Sequence, residues 1–184
     1  MPHTRTARTG LAHVATASFF ASRIVPTGGF AVALAGGVAV ARAAERFGLR
    51  RGFGASLAAM LQTIAIMGPS HANVPLTQAV SAPVLGRMHA RGHGAAALLG
   101  VAIAFRVAQN LAATAFYLFV IVGFEAYLGT YEATLGWLPL LPDGRAGAIL
   151  AAVAAFVGWA IVASVVQVLV YRRGLARWPA DPPA

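Results

Sequence analysis

Long apolar blocks that alternate with short arginine-rich segments are the dominant pattern of this chain. The blocks cover residues 26–44, 53–68, 95–123 and 146–171, and a shorter apolar run covers 11–22. Most of these blocks approach the ~20 apolar residues that a helix needs to cross the hydrocarbon core of a bilayer. The pattern predicts an all-α fold, a polytopic transmembrane helical bundle with about 4–6 membrane segments.

The segment between residues 53 and 86 has basic residues on both flanks and three prolines in its second half. Pro69, Pro75 and Pro83 argue against one regular helix through residues 68–86, because proline removes a backbone donor and clashes with the preceding turn. If both flanks lie on the same side, the chain must enter the membrane and return. Each limb would then span only about 25 Å of a ~30 Å core. The segment therefore predicts a proline-broken or re-entrant hairpin.

The two ends of the chain set the predicted domain boundaries. We expect a single integral membrane helical domain over residues 1–176 and a short proline-rich tail over 177–184. The run 11–22 follows a basic start, as in a signal peptide, but polar residues interrupt it and no small-x-small cleavage site precedes Arg23. This run is predicted to be a short first span or an interfacial helix, and the sequence leaves both alternatives open.

Small residues recur at every fourth position in the block 26–44. Gly29, Ala33, Gly37 and Ala41 therefore share one helix face. A stripe of this kind lets a second helix approach backbone to backbone. It predicts either tight packing within the chain or a contact between copies in a homo-oligomer.

Composition and charge favour lipid over water as the surroundings of this chain. Hydrophobic residues make up 59% of the chain and charged residues 10%, whereas soluble domains contain about 25% charged residues. The net charge of +9 comes from arginine without lysine, and the arginines cluster at the ends of the apolar blocks. Such clusters suit anionic headgroups. Membrane lipids are therefore predicted as partners, and nucleic acid is not.

The distribution of charge also predicts an orientation. The basic segment 42–52, the basic residues after position 86 and the basic C-terminus are predicted to be cytoplasmic. The segment 124–145 is acidic and contains tyrosine and tryptophan, so it is predicted to be an external loop. The expected location is a bacterial-type cytoplasmic membrane.

Residues that the chain lacks exclude several kinds of chemistry. Without cysteine there is no disulfide, thiolate nucleophile or iron–sulfur cluster, and without lysine there is no Schiff base. The five acidic residues avoid the middle of the apolar blocks, which leaves no carboxylate proton relay. His89 and His93 are predicted to be solvated loop residues with no carboxylate nearby. We therefore expect no enzyme activity, no cofactor and no metal site.

The strongest candidate for a binding site is the proline-broken segment 68–78. Its polar residues lie at predicted membrane depth, where irregular backbone needs shelter by protein or water. Asn73 is predicted to cap a helix with Pro75 in its first turn, so that unpaired N–H groups would face a polar or anionic solute. The alternative is a turn at the outer surface. The predicted solute-binding residues of this segment are Ser70, His71, Asn73, Thr77 and Gln78.

A second group of polar residues lies on the 95–123 helix. Arg106 and Asn110 fall on one face at 100° per residue and are predicted to complete the solute site. The alternative for Arg106 is to extend to the cytoplasmic headgroups. The alternative for Asn110 is a hydrogen-bonded contact between helices, with Gln62 or Gln167 as its partner.

Three functions remain open from the sequence. The first is a small integral membrane permease or channel subunit that binds a small polar or anionic solute at the broken helix. The second is a non-catalytic assembly, anchor or regulatory subunit of a membrane complex, which the small-residue stripes suit. The third is a membrane enzyme that acts on lipid or quinone, although no catalytic motif is present. A homo-oligomer or a membrane-complex partner is expected under the first two.

Overall fold

The apolar blocks fold as helices. A computed structural model describes residues 2–25, 28–68, 73–135 and 144–178, and none of these residues forms a β-strand. The α-helices of the described part are α1 (Pro2–Ile24), α2 (Gly29–Phe47), α3 (Leu49–Met67), α4 (Asn73–Ala90), α5 (Ala95–Phe116, continued by the π-helix Tyr117–Ile121), α6 (Phe124–Leu135) and α7 (Gly144–Arg177). The all-α prediction is confirmed for these residues.

The helices group into two compact units. Unit 1 comprises Met1–Ala102 and Val165–Ala184, and unit 2 comprises Ile103–Ser164. Helices α5 and α7 therefore contribute one part to each unit. The single membrane domain over 1–176 and the tail over 177–184 stay predictions.

Helix α2 is the centre of unit 1. It packs against α1, α3 and α4, and most of its residues from Ala33 to Ala44 are buried. Alanine, glycine and valine predominate there, and such small side chains allow close helix spacing. The last part of α7 adds Tyr171 and Leu175 to the same core.

The stripe of small residues on α2 packs inside the chain. A Cβ atom on Gly37 would overlap the hydroxyl of Tyr171, and a Cβ atom on Gly86 of α4 would overlap the backbone carbonyl of Ala41. Ala33 and Ala41 have no exposed surface. Of the two alternatives, tight packing within the chain is the one that the structure confirms.

Helices α3 and α4, which lie on either side of the predicted break, pack against each other, while the re-entrant membrane hairpin stays a prediction. Helix α3 ends at Gly68, whose φ of +86° lies in the left-handed region that glycine adopts without strain. Residues 69–72 lie outside the described part of the chain, and α4 begins at Asn73. Residues 73–78 of the predicted break are therefore helical.

Helix α4 continues regularly through Pro83, one of the three prolines that argued against a single helix over residues 68–86. Proline at position 83 cannot donate a hydrogen bond to the carbonyl of Ala79, four residues earlier. The Ser56 hydroxyl on α3 donates to that carbonyl instead, over 2.5 Å. A neighbouring side chain thus replaces the missing backbone donor, which is how helices tolerate internal proline.

Two predicted loops are largely helical. The basic segment 42–52 consists of the end of α2, the start of α3 and Gly48 between them, which adopts a φ of +88°. The predicted external loop 124–145 contains α6 in its first half. Glutamate, alanine and leucine favour helix there, and Glu125 in the first turn suits the positive end of the helix dipole.

Among the described residues, two helices have the length and apolar composition that a membrane span requires. They are α5 with its π-helical continuation, Ala95–Ile121, and α7, Gly144–Arg177. At 1.5 Å per residue both exceed a ~30 Å hydrocarbon core. They give weak support to a membrane location, because the core helix of a soluble protein can have similar length and composition. A total of four to six spans stays a prediction.

Candidate functional site

The structure describes only some of the predicted site residues of the proline-broken segment 68–78. Ser70 and His71 lie outside the described residues, and Asn73 is the first residue of α4, with its side chain also outside the description. Thr77 and Gln78 follow on α4 in unit 1 and are both buried. The predicted start of a helix at Asn73 thus agrees with α4, while its role as a cap stays a prediction.

The other two predicted site residues belong to unit 2. Arg106 on α5 is buried, with 3% of its surface exposed, whereas extension to the headgroups would leave its guanidinium exposed. Asn110, one turn later, is half-buried. Gln62 and Gln167 have hydrogen bonds in unit 1, where Gln62 accepts from Thr16 over 2.6 Å. Since the predicted residues fall in both units, the complete solute site stays a prediction.

A network of buried polar side chains connects α4 and α7 within unit 1. The Tyr171 hydroxyl donates to Oε1 of Gln78 over 2.7 Å. Nε2 of Gln167 donates to the Ser81 hydroxyl over 2.8 Å, and that hydroxyl donates to the carbonyl of Thr77 over 2.6 Å. None of these side chains is charged. The network therefore stabilises the α4–α7 contact by hydrogen bonds without burying an ion.

One donor of this network has no partner. Gln78 is completely buried, and its Nε2 forms no hydrogen bond within the described part of the chain. A buried amide donor without a partner costs about 1–3 kcal/mol. Such groups are rare in native proteins, where an ordered water or a bound ion often satisfies them. Gln78 is thus the predicted site residue with the clearest unused binding capacity.

Unit 1 has one strongly basic end. Gly48 joins the end of α2 directly to α3, Glu45 on α2 lies 3.9 Å from His89 on α4, and Arg172 on α7 lines a surface recess together with His89. These contacts bring the ends of four helices together. The arginines at this end are Arg42, Arg46, Arg50, Arg51, Arg87, Arg91, Arg172, Arg173 and Arg177. Among the described residues of unit 1, Glu45 is the only acidic one.

Glu45 is the single carboxylate at this end in the described part of unit 1. It lies between two basic side chains. Nη1 of Arg42 donates to Oε2 of Glu45 over 2.7 Å. Oε1 of Glu45 lies 3.9 Å from Nε2 of His89. The expectation that His89 has no carboxylate nearby is therefore wrong. Sequence spacing missed this contact because packing of α2 against α4 creates it.

An open cleft of about 550 Å³ lies between α1 and α3 in unit 1. Arg50 and Arg51 lie at its basic end and Gln62 lies further along α3. No acidic residue is among the described residues that line it. The lining consists of Thr9, Ala12, His13, Arg50, Arg51, Gly54, Ala55, Ala58 and Gln62. Sequence analysis assigned Arg50 and Arg51 to a cytoplasmic loop and missed this cleft. The four-residue spacing of Arg50, Gly54, Ala58 and Gln62, which places them on one face of α3, was the sequence signal for this cleft.

A second open cleft, of about 480 Å³, lies in unit 2. Asn110 and Thr114 of α5 line it together with aromatic residues of α6 and α7, including Trp159. None of its described lining residues is charged. Its chemistry suits an uncharged or aromatic group rather than an anion. Asn110 was predicted to bind solute together with the broken segment 68–78, and the aromatic residues of this cleft were not predicted.

Two tyrosines of this cleft share a hydrogen bond. The hydroxyl oxygens of Tyr127 and Tyr131 on α6 lie 3.3 Å apart. The hydrogen bond to Tyr127, followed by burial and the charge of ionised Tyr127, raises the pKa of Tyr131 from 10.0 to about 12. Tyr131 is therefore neutral at physiological pH. It provides a hydroxyl group to the cleft without charge.

The described residues contain no group of three or more His, Cys, Asp or Glu placed to hold a metal ion. Comparisons of the chain with protein-family models, with curated proteins and with solved structures found no match.

Proposed function

We propose that this chain is a small integral membrane permease or channel subunit for a small polar or anionic solute. The membrane part would comprise α1 to α5 and α7, with the basic end of unit 1 in the cytoplasm of a bacterial-type cell. This arrangement follows the positive-inside rule, because one end of unit 1 carries arginines from four helices. The apolar lengths of α5 and α7 support it.

The observation that carries the proposed transport function is the buried Nε2 of Gln78, which has no partner among the described residues. It lies five residues after the start of α4, close to the proline-broken segment. In a low-dielectric membrane interior, an unused donor of this kind favours binding of an acceptor atom on a passing solute. Ser70, His71, Asn73, Thr77, Arg106 and Asn110 complete the proposed solute site.

Flux into reconstituted vesicles tests this proposal. Purified protein would be placed in vesicles and supplied with a panel of small anions and neutral polar solutes. We expect flux above that of protein-free vesicles for at least one solute. Gln78→Leu should reduce that flux at least about tenfold if the amide contributes one hydrogen bond in the path. Gly158→Ala, at an open position of α7, is the matched control and should transport normally. Absence of flux for every solute would overturn the proposal.

A second candidate function is an anchor or assembly subunit of a membrane complex. Large apolar side chains are exposed along unit 2, including Phe119, which is 86% exposed. Lipid covers such a surface, but so does a partner helix. Copurification of a partner in fixed stoichiometry from gently solubilised membranes would favour this function. A stable isolated chain with solute flux would favour the first.

A further inference from the structure

The α1–α3 cleft has a specific arrangement of charge. Among its described lining residues, the two with permanent positive charge are Arg50 and Arg51, neighbours in the first turn of α3. Neither arginine forms an ion pair within the described part of the chain. By contrast, Arg42 at the same end of unit 1 is paired with Glu45. The cleft therefore offers two adjacent guanidinium groups whose charge the described protein does not compensate.

The floor of the cleft is shaped by small residues. Gly54 and Ala58 follow Arg50 at four-residue intervals on one face of α3, and Gln62 follows after the same interval. The run from Arg50 to Gln62 corresponds to about 18 Å of helix. A Cβ atom on Gly54 would meet nothing within 4 Å. The cleft is thus a long trough with a floor of small residues and a cationic end.

Polar donors remain available along this trough. Oε1 of Gln62 accepts a hydrogen bond from Thr16, which fixes the amide and leaves its Nε2 directed away from that contact. His13 on α1 is exposed and lines the same cleft. Donors predominate over acceptors among the polar lining groups. This balance favours an anion over a cation or a neutral sugar.

We propose that the α1–α3 cleft binds a phosphate group, held by Arg50 and Arg51. Guanidinium groups bind phosphate oxygens through paired, charge-assisted hydrogen bonds. The phosphate is either that of an anionic lipid, whose acyl chain would lie along Gly54 and Ala58, or that of a soluble phosphate compound. The cleft shares no residue with the proposed solute site, so it stands independently of transport.

Protection of a single cysteine tests the proposal, because the natural chain contains no cysteine. The variant Gly54→Cys places a thiol in the open floor of the cleft. Its rate of reaction with a maleimide would be measured in detergent with inorganic phosphate, glycerol 3-phosphate, dihexanoyl phosphatidylglycerol or the uncharged dihexanoylglycerol. We expect phosphate-bearing compounds to slow the reaction and dihexanoylglycerol to leave it unchanged. Protection by phosphatidylglycerol alone identifies a lipid-borne phosphate, and protection by all three identifies a free one.

A pair of charge-matched variants makes the test specific. In the Gly54→Cys background, Arg50→Gln with Arg51→Gln should weaken the protecting affinity by at least about tenfold. Arg172→Gln with Arg173→Gln removes the same charge from the same end of unit 1 but outside the cleft, and should change the affinity little. Equal losses in both double variants would show general charge attraction and overturn the site. Absence of protection by every phosphate compound would overturn it as well.

Discussion

The glycines of the two units differ in their surroundings. In unit 1, several glycines lie at close helix contacts, and a Cβ atom at Gly37, Gly52 or Gly86 would overlap a neighbouring residue, whereas Gly54 faces open space. In unit 2, Gly129 and Gly158 face open space. The comparison indicates that packing within the chain stabilises unit 1, where close helix contact replaces large side chains.

Large apolar side chains are exposed in both units, including Leu57, Leu61 and Ile66 on α3 of unit 1. Leucine, valine, isoleucine and phenylalanine side chains are exposed on α5, its π-helical continuation and α7. Soluble monomers rarely expose apolar surface of this extent. Unit 2 therefore depends on surroundings that cover it, which is what lipid or a partner helix provides. Paired substitutions in the two units test the difference in glycine packing.

The largest difference is expected between Gly86→Ala and Gly158→Ala. The added methyl group at position 86 would overlap the backbone carbonyl of Ala41, which cannot rotate away. We expect Gly86→Ala to lower the free energy of unfolding by about 3 kcal/mol. Gly158→Ala should raise it by about 0.5–1 kcal/mol through higher helix propensity. Reversible unfolding in mixed detergent micelles measures both, and equal effects would contradict the packing contrast.

The next effect concerns the hydrogen bond from Ser56 to the carbonyl of Ala79. Ser56→Ala leaves that buried carbonyl without a donor and should lower the free energy of unfolding by about 2 kcal/mol. Pro83→Ala restores the backbone N–H four residues later. In that background Ser56→Ala should cost much less. A double-mutant cycle measures this coupling, and additive effects would show that Ser56 does not compensate for the proline.

A smaller effect is expected from removing hydroxyl groups in the two units. Tyr171→Phe leaves Oε1 of Gln78 without its buried donor and should cost about 1–2 kcal/mol. Tyr127→Phe removes a longer hydrogen bond on a more exposed helix and should cost less than about 0.5 kcal/mol. Unfolding in the same micelles compares the two variants. If Tyr127→Phe lowered the free energy of unfolding more than Tyr171→Phe, the hydrogen bond in unit 2 would be the more stabilising one, which would contradict this expectation.

The smallest effect is a titration on α6, outside both candidate spans. The pKa of Tyr131 is raised to about 12, first by its hydrogen bond to Tyr127. The folded chain therefore keeps this proton at a pH where the unfolded chain loses it. The corresponding stability is present below pH 10.0 and is lost as the pH rises towards about 12. Ultraviolet absorbance of the phenolate should show Tyr131 titrating nearer to 10.0 in Tyr127→Phe, and an unchanged titration would contradict the cause given.

The sequence predicted the helices well where apolar residues are continuous. The predicted end of α3 and the predicted start of α4 agree with the structure, because Gly68 and Asn73 are local signals that need no tertiary contact. Helix α6 was missed because its acidic and aromatic residues resemble an interfacial loop. The sequence could not show that a helix passes through Pro83, because the compensating donor, Ser56, lies on another helix.

The candidate sites were less predictable because they depend on long-range packing. Glu45 and His89 are far apart in sequence and meet only when α2 packs against α4. The basic cleft needs α1 and α3 to lie side by side, with Gly54 leaving the space between them. Gln78 was predicted as a site residue from its position after the break, but its partner Tyr171 is on α7. Local patterns contain no information on these pairings.

The central claim is that α5 crosses a membrane, with the basic end of unit 1 on the cytoplasmic side. Single cysteines His93→Cys, before α5, and Glu132→Cys, on α6 after it, test this claim in right-side-out vesicles with an impermeant maleimide. We expect position 132 to react from outside and position 93 to react only after the vesicles are permeabilised. If both positions react equally from outside, α5 does not span the membrane and the proposed arrangement is wrong.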